Sequence, residues 1–469
     1  MNKAVINIIQ IFLVKRFSLF FAVLLRMGVK ERLANGKNSI MHSKEKNKYT
    51  ILALDSGRYR KDLDILSTNE KFRILHIKQG WTGLLTRFLY YKKNHKILIL
   101  DIAQSTDKNM LDMHDKAVDF SVEVLKHLLN MISISCITTV NNRYLDDYPW
   151  VLAFKRLGIP YVMLYREGLL NSKRVYDRSV YRNKRFVKFH GDKIIVQNLL
   201  TKEMFLESGI ATKDQITICG SLRMDEFVNK IRSYPHAQNK RKKFTLFYFP
   251  YSAILFGKKL KQMVPNKTSY IDIYGHSSGV WDGRKTLFRD LHEVILKMAK
   301  NNPDIDFVIK PKKEVVGAKS WGFYEQVVSE SKIDVNSLNN YNVDSDIDVH
   351  QLIIDSNVIC ALQSTTVIES ALAGKKVIFP LFNNYMKTSF FVDFGWKDDL
   401  HLFNVAKDRS EFESSVVDGL YGYEVSSDIQ KGRDRLFEKY FFNSNGRTLD
   451  CYSDEIIDVI KSCKVDKHK

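Results

Sequence analysis

A hydroxyl-rich turn in the second half of the chain carries residue types that bind phosphate groups. In VICALQSTTVIESALAG, an apolar strand is predicted to end at Leu362 and a helix to begin near Thr366, with Ser364 and Thr365 between them. The first backbone N–H groups of a helix have no helical partner and lie at the positive end of its dipole, so they attract anions. The pattern predicts a diphosphate site in which Glu369 could accept hydrogen bonds from ribose hydroxyls.

The same residues also have a purely local explanation. Thr366 and Glu369 have the spacing of a capping box, and Gly374 stands where a helix commonly ends in a left-handed residue. Capping explains these positions without a ligand, but it leaves the additional hydroxyls of the turn unexplained.

A lysine-rich strand end precedes this turn in the chain. The segment DIDFVIKPKK predicts a strand that ends near Lys310, with Lys312 and Lys313 directly after it. Parallel sheets bind ligands at the carboxyl ends of their strands. A lysine run after a strand is usually a solvated turn, but beside a helix amino terminus it can hold a diphosphate and offset the charge of a leaving group.

The elements that would position these groups alternate in type along the chain. Short aliphatic or β-branched runs alternate with stretches of helical period, which predicts βαβ units on mainly parallel sheets. The 469 residues exceed one usual hydrophobic core, so two domains are expected. The predicted strands are Ile51–Leu54, Arg73–Ile77, Ile97–Asp101, Ser135–Val140, Tyr161–Tyr165, Lys193–Gln197, Thr217–Gly220, Phe244–Pro250, Ile305–Ile309, Asn357–Leu362 and Lys376–Pro380.

Polar side chains follow several of these predicted strands, as in Asp55 with Arg58 and Arg166 with Glu167. Helices are predicted near Leu287–Lys300 and over Thr366–Ala373, and the tail beyond Glu411 has a helical period. The predicted division of the chain is an amino-terminal segment and linker (1–48), a first Rossmann-like domain (49–228), a linker (229–243), a second Rossmann-like domain (244–440) and a carboxyl-terminal helix (441–469).

The first 33 residues predict an amphipathic helix that lies on a surface. Basic residues interrupt the apolar run, so it lacks the ~20 uninterrupted apolar residues of a spanning helix, and it does not fit a signal peptide. Its polar side carries Lys15, Arg16, Arg26 and Lys30, although Ile8, Phe12, Leu19 and Val23 fall in the same sector, and its apolar side carries Ile6, Leu13, Phe17, Phe20 and Leu24. This pattern favours an anionic membrane surface, and packing on the protein's own core is the alternative.

The net charge of +20 indicates an anionic partner, which can be nucleic acid, a membrane surface or a phosphorylated substrate. No RRM, KH, zinc-finger or basic-zipper signature is present, so no nucleic-acid partner is predicted.

The cysteines are scattered without a CxxC pair, which predicts neither a disulfide framework nor a zinc site and favours a reducing compartment; they are Cys136, Cys219, Cys360, Cys451 and Cys463.

Several motifs occur in an order that resembles bacterial surface-carbohydrate biosynthesis proteins. GSLRMDEF (220–227) resembles the G-x-x-R-x-D step of that family, and REGLL (166–170), GDKIIVQN (191–198), the STTVIESALAGKKVIFP block (364–380) and the closing FFNSNGRTLDCYSDEI (441–456) resemble its other segments. The family is similar to GT-B glycosyltransferases, with relatives among capsule sugar transferases and CDP-glycerol glycerophosphotransferases. The resemblance covers roughly residues 50 to 460 and implies an α/β fold of two Rossmann-like domains facing a cleft.

The resemblance also implies roles for particular residues. The second domain would bind a nucleotide-sugar donor, with the candidate residues Lys310, Lys312, Ser364, Thr365, Thr366, Glu369 and His276. The first would bind a saccharide or lipid-linked acceptor. An inverting transfer needs a general base near the acceptor hydroxyl, for which Glu167 is the first candidate and Asp55 the second. For either carboxylate, an ion pair with a neighbouring arginine is the alternative explanation.

No metal or organic cofactor is predicted. Asp344, Asp346 and Asp348 resemble the DxD motif of metal-dependent transferases, but they lie in a polar loop predicted to precede a strand. As an EF-hand loop the segment lacks glycine at its sixth position, Val349. Three other functions remain open from the sequence: a polyol-phosphate transferase, a nucleotide-sugar epimerase and a non-catalytic member of a polysaccharide assembly complex.

Overall fold

The chain folds into two compact units, each built around its own sheet. Unit 1 holds the described residues up to Gly168, Ser179–Val228 and those from Tyr440 onward, and unit 2 holds Leu169–Arg178 and the described residues of Asn229–Lys439. The computed structural model describes residues 17–33, 36–39, 48–59, 61–78, 80–83, 105–233, 241–249, 280–313, 316, 321–386, 391, 394–442 and 445–465.

The sheet of unit 1 has the strand order β2-β1-β4-β3-β5-β6-β7-β8. The strands from β4 to β8 pair in parallel, whereas β1 pairs antiparallel with both β2 and β4. The strands are β1 (Lys30–Arg32), β2 (Asn38–Ser39), β3 (Tyr49–Ala53), β4 (Phe72–His76), β5 (Cys136–Thr139), β6 (Tyr161–Leu164), β7 (Lys193–Val196) and β8 (Ile216–Ile218).

The sheet of unit 2 is entirely parallel and has the order β11-β10-β9-β12-β13-β14. Numbered within the unit, this is the order 3-2-1-4-5-6 of the Rossmann fold. Its strands are β9 (Lys242–Phe247), β10 (Ile305–Lys310), β11 (Tyr341–Val343), β12 (Val358–Cys360), β13 (Lys376–Pro380) and β14 (Asn404–Ala406). The predicted fold class, α/β with two Rossmann-like domains, is confirmed.

Helices connect the strands of both sheets. They are α1 (17–28), α2 (Asp62–Leu66), α3 (Lys108–Met131), α4 (Tyr148–Arg156), α5 (Lys173–Lys184), α6 (Leu199–Glu207), α7 (Met224–Ser233), α8 (Val280–Asn301), α9 (Trp321–Glu330), α10 (Val349–Asp355), α11 (Thr366–Leu372), α12 (Asn383–Met386), α13 (Arg409–Gly422), α14 (Ser427–Phe441) and α15 (Thr448–Val465).

The predicted strands that fall on described residues each match an observed strand within three residues at either end. The predicted strand Ile97–Asp101 lies outside the described residues. The sequence missed β1, β2, β11 and β14, which are only two or three residues long; β1 and β2 are also entirely polar. Such short strands show neither an apolar run nor a clear alternation.

Two of the missed strands change the interpretation of residues 1–48. β1 and β2 extend the unit 1 sheet, and ion pairs hold β1 in place: Arg32 pairs with Asp64 of α2, and Glu31 Oε2 pairs with Arg73 Nη2 of β4 at 2.7 Å. The segment is therefore not simply an anchor and linker. The predicted linker 229–243 also contains the end of α7 and the first residues of β9.

Helix α1 packs on unit 1 with one face and exposes another. Ala22 and Leu25 are buried, and the Phe21 ring meets Phe120 of α3 edge to face at 5.7 Å. Gly28 at its end lies against the Trp81 ring, so closely that a Cβ atom would come within 2.6 Å of that ring. Among the described residues, no helix is both long enough and apolar enough to cross a membrane.

Helix α15 closes unit 1 by contacting the GSLRMDEF segment. Tyr452 Oη donates to the Gly220 carbonyl at 3.1 Å, and the Leu449 N–H donates to Asp225 Oδ2 at 3.0 Å. A disulfide bond joins Cys219 to Cys451. The expectation of no disulfide was wrong, because 232 residues separate the partners and only the fold brings them together. A reducing compartment consequently loses the support that the cysteine pattern gave it.

Candidate functional site

The sheet of unit 2 changes direction beside its first strand. From β9 the chain adds β10 and β11 on one side, and then returns to add β12 on the other side of β9. In an open parallel sheet, the connections at such a switch point diverge and leave a crevice outside the carboxyl ends of the two strands. The turn that carries Ser364 and Thr365 directly follows β12, so it lies at this position.

Ser364 and Thr365 are half-buried, Thr366 is buried, and the hydroxyls of Ser364 and Thr366 contact each other. Ser364 Oγ accepts hydrogen bonds from the Thr366 N–H at 3.3 Å and the Thr366 hydroxyl at 2.9 Å. Thr365 stands at the N-cap position of α11, but its side chain makes no capping hydrogen bond. The helix therefore does not use the capping box predicted for Thr366 and Glu369. Gly374 does follow the helix in the left-handed conformation, with a φ of +67°. Local capping therefore does not account for Glu369.

Glu369 is buried within unit 2, with 2% of its surface exposed. Its Oε2 atom lies 3.6 Å from His350 Nε2, so a histidine that the sequence did not single out is its neighbour. His276, the remaining candidate for this site, lies outside the described residues.

The lysines after β10 differ in their surroundings. Lys310 Nζ donates to the backbone carbonyls of Ser345 at 2.7 Å and Pro311 at 3.1 Å. Lys312 is exposed. Lys313 pairs with Asp346 at 2.8 Å, and this hydrogen bond holds the pKa of the Asp346 carboxyl below its usual value. The structure thus separates a partly buried lysine at the sheet edge from two solvated ones.

The three aspartates of DSDID have separate local partners. Asp344 Oδ1 accepts hydrogen bonds from the N–H groups of Asp346 and Ile347, which forms a turn. Asp348 caps α10 by accepting from the Gln351 N–H at 3.0 Å. The motif therefore precedes a helix, where the sequence predicted a strand. Over the described part of the chain, no group of three or more His, Cys, Asp or Glu residues is placed to hold a metal ion.

The first candidate base, Glu167, lies three residues beyond the end of β6. Its side chain is 52% exposed, and its Oε2 atom lies 3.0 Å from Nη1 of Arg143. The neighbouring Arg166 instead pairs with Asp62 at 2.8 Å and donates to the Arg58 carbonyl at 2.7 Å. Glu167 is thus an accessible carboxylate held by an arginine from the loop after β5.

The second candidate, Asp55, follows β3 and is buried in the left-handed conformation, with a φ of 51°. Aspartate tolerates this conformation better than most residues. Asp55 pairs with Arg58, whose guanidinium lies over the Tyr144 ring at 3.0 Å from its centroid. An ion pair with an arginine accompanies both candidate bases, and this contact does not decide between a structural and a catalytic role.

Asp147 is a buried carboxyl that sequence reasoning missed. It precedes α4 and is only 3% exposed, yet its side chain does not cap the helix and its Oδ1 atom has no hydrogen-bond partner. The pKa of Asp147 is raised to about 8, mainly by burial; Asp55 and Asp146 also raise it, whereas Arg58 lowers it. The LDDYPW segment gave only the signal of a helix start, so the burial of this acid was not visible.

Comparisons with known proteins give no family assignment. No family model matches the chain, and no curated protein matches it.

Solved structures show only a distant similarity. UDP-GlcNAc 2-epimerase from Neisseria meningitidis bound to UDP-GlcNAc is 12% identical over 88% of this chain and 100% of its own, with a TM-score of 0.44. A UDP-forming α,α-trehalose-phosphate synthase from Burkholderia vietnamiensis is 10% identical over 88% and 100%, with a TM-score of 0.43. A Listeria monocytogenes protein described as a putative UDP-N-acetylglucosamine 2-epimerase is 9% identical over 86% and 94%, with a TM-score of 0.44. Similarity at this level carries no inference about activity.

Proposed function

We propose that the protein is a metal-independent glycosyltransferase that moves a sugar from a nucleotide-sugar donor to a growing surface polysaccharide or a lipid-linked acceptor. The observation that carries the proposal is the switch point of unit 2 between β9 and β12. A sheet with the Rossmann strand order offers a nucleotide site at this position. Here hydroxyls follow β12, and lysines follow β10 on the same edge.

The chemistry of these groups suits a nucleoside diphosphate. The hydroxyls of Ser364 and Thr365 can donate to phosphate oxygens, and Thr366, whose hydroxyl donates to Ser364 Oγ, would orient the Ser364 hydroxyl. Lys310 and Lys312 supply positive charge that would stabilise the diphosphate as it leaves. Glu369, beside His350, is the proposed acceptor for ribose hydroxyls, and His276 is a further candidate for donor contact.

The acceptor and the general base are assigned to unit 1. Glu167 is the proposed base because it is accessible and lies just beyond the carboxyl end of β6, and Asp55 is the second candidate. The motif resemblance to surface-carbohydrate biosynthesis proteins supports an acceptor of polysaccharide type. If nucleotide sugars are bound but only isomerised, the chain is an epimerase; if CDP-linked polyols are the donors, it is a polyol-phosphate transferase.

Lys310→Ala is expected to weaken nucleotide binding by about 1–3 kcal/mol, because a charged hydrogen bond to phosphate is lost. Calorimetric titration with UDP, CMP, CDP and GDP measures the affinity and identifies the base. Because Lys310 also holds the Ser345 carbonyl, the melting temperature of each variant is measured in parallel. Lys313→Ala is the matched control, and it should leave affinity unchanged. Equal affinity in the wild type and Lys310→Ala would remove Lys310 from the donor site.

We further propose that the protein acts in the cytoplasm, on the inner face of the membrane, through α1. Its exposed side carries bulky apolar side chains on neighbouring turns: Phe17, Leu19, Phe20, Val23 and Met27. An anionic surface would also attract the net charge of +20. The sequence assigned Leu19 and Val23 to the basic sector, but both side chains belong to this exposed apolar face.

Replacing Phe20 and Met27 together by serine is expected to lower binding to anionic vesicles by about tenfold or more, since each buried apolar side chain contributes about 1.5–3 kcal/mol. Binding of the full chain should also weaken as salt rises. Vesicle co-sedimentation measures both effects. Leu111→Ser, at an exposed apolar position on α3, is the matched control. Point variants are needed because truncation near Lys48 would remove β1 and β2 from the sheet.

A further inference from the structure

The sheet of unit 1 has its own switch point, beside β3. The chain adds β4 on one side of β3 and then places β5 on the other side, where the strands run in parallel. Asp55 follows β3, and the loop that contains Asn141, Asn142 and Asp147 follows β5. By the same topological rule that locates the donor site, ligands of unit 1 bind at this edge.

A small cavity lies in this loop region of unit 1. Its volume is about 20 Å³, and Asn141, Asn142, Tyr144, Asp147, Tyr148 and Tyr161 are among the residues that line it. A cavity of this volume accommodates about one water molecule or one hydroxyl group. Three tyrosines contribute to its wall, and other side chains already pack on two of them: the Arg58 guanidinium lies over the Tyr144 ring and His114 stacks on Tyr148, while Tyr161 is buried.

Two oxygen atoms of the lining residues are buried without a hydrogen-bond partner. They are Oδ1 of Asp147 and Oδ1 of Asn142. The Asn142 amide nitrogen donates to the Val187 carbonyl at 3.5 Å, so its oxygen is the atom left unpaired. Buried polar atoms without partners are uncommon and costly in folded proteins, so two in the lining of one cavity indicate that a polar group from outside completes them.

The protonation state of Asp147 defines the chemistry of the polar group that would pair with these two oxygens. Burial raises the pKa of the Asp147 carboxyl to about 8, so it is mainly protonated at neutral pH and can donate a hydrogen bond. The Asn142 oxygen can only accept one. A hydroxyl group offers both an acceptor oxygen and a donor hydrogen, so a single hydroxyl can satisfy both atoms. A phosphate or carboxylate could not donate to Asn142.

We propose that Asp147 and Asn142 form a subsite for one hydroxyl group of a saccharide. The identification of this saccharide as the acceptor rests on the proposed function, whereas the subsite itself rests on the cavity and its two unpaired oxygens. The subsite lies on the same edge as Asp55 and would position the acceptor.

Saturation-transfer NMR on the full chain tests the subsite, with glucose, galactose and N-acetylglucosamine as probes and no nucleotide present. For a saccharide that the wild type binds, Asp147→Leu and Asn142→Ala should each lower the affinity by about 5- to 100-fold, because a buried hydrogen bond is lost. Asp112→Asn changes an exposed carboxyl on α3 that is outside the cavity lining, and should have no effect. The proposal is overturned if the wild type binds none of the three sugars. It is also overturned if both cavity variants bind a sugar as tightly as the wild type does.

The pH dependence gives a second readout. Wild-type affinity should fall as pH rises through about 8, where Asp147 loses the proton that it donates, and Asp147→Asn should bind with little change between about pH 6 and pH 9. The groups that act on Asp147 electrostatically are Asp55, Arg58, Asp146, Tyr59 and Tyr161. The pKa values of both tyrosines are raised by burial, so they do not titrate in this range. A wild-type affinity that does not change over this range would contradict the donor role of Asp147.

The dependence of stability on pH tests whether the carboxyl is buried in its protonated form. The folded-state pKa of Asp147 lies above the unfolded value, so the folded state binds more protons between the two and stability falls as pH rises through that interval. Asp147→Asn should therefore raise the melting temperature at about pH 8 and change it little near pH 4. An identical difference at both pH values would contradict the buried, protonated state.

The outcomes for the subsite and for the proposed function are distinguishable. If the protein binds saccharide through Asp147 but transfers nothing from any nucleotide sugar, the subsite stands and the proposed function fails. If the protein is a transferase but the cavity variants do not change its saccharide affinity, the proposed function stands and the subsite fails.

Discussion

Glu167→Gln is expected to lower the turnover of sugar transfer by roughly two to four orders of magnitude while leaving nucleotide affinity nearly unchanged. Glutamine keeps the size of the side chain and can still accept a hydrogen bond from Arg143, but it cannot take a proton from an acceptor hydroxyl. Initial rates with a saturating donor, together with calorimetric nucleotide titration, separate the two quantities. A loss of turnover with intact affinity is the signature of a missing base.

Two further variants give this experiment its controls. Glu203→Gln changes an exposed glutamate on α6 in the same unit and should be neutral. Asp55→Asn tests the second candidate, but Asp55 is buried and paired with Arg58, so its melting temperature must be measured alongside its rate. Near-normal turnover in Glu167→Gln, with a large loss in a folded Asp55→Asn, would transfer the base assignment to Asp55.

Cys451→Ser is expected to lower the stability of unit 1 by about 2–4 kcal/mol under oxidising conditions. The bond to Cys219 closes a loop with a sequence separation of 232 residues, and it removes conformational freedom from the unfolded chain. It also joins α15 to the segment after β8. Thermal unfolding with and without a reductant measures the effect on the wild type and the variant.

The reductant should destabilise the wild type and leave Cys451→Ser unchanged. Cys463→Ser, at a cysteine on the same helix that is not part of the disulfide, is the matched control and should respond to reductant like the wild type. A wild type whose melting temperature is insensitive to reductant would show that the bond contributes nothing. If the protein acts in a reducing cytoplasm, as proposed, this stabilisation is absent in the cell. Helix α15 is then held by its other contacts, among them the hydrogen bonds of Tyr452 and Leu449 and the packing of Ile456 and Ile460 in the core of unit 1.

The sequence by itself determined the main strands and the fold class. Segments such as Lys376–Pro380 and Ile305–Ile309 are predicted because a strand buried on both faces of a parallel sheet is apolar along most of its length. The same reasoning located the turn at Ser364 and the lysine at the end of β10, since chain order alone indicates which residues follow a strand. Three-residue edge strands such as β11 and β14 were missed, because they are too short to show a pattern.

Only the tertiary structure decided which distant residues meet and which groups are buried. The pairs Cys219 with Cys451 and His350 with Glu369 are set by strand order and helix packing, which no local spacing encodes. The exposed apolar face of α1 depends on which side of that helix packs on unit 1. The raised pKa of Asp147 has the same origin, because desolvation is a property of the surrounding atoms and not of the residue's neighbours in the chain.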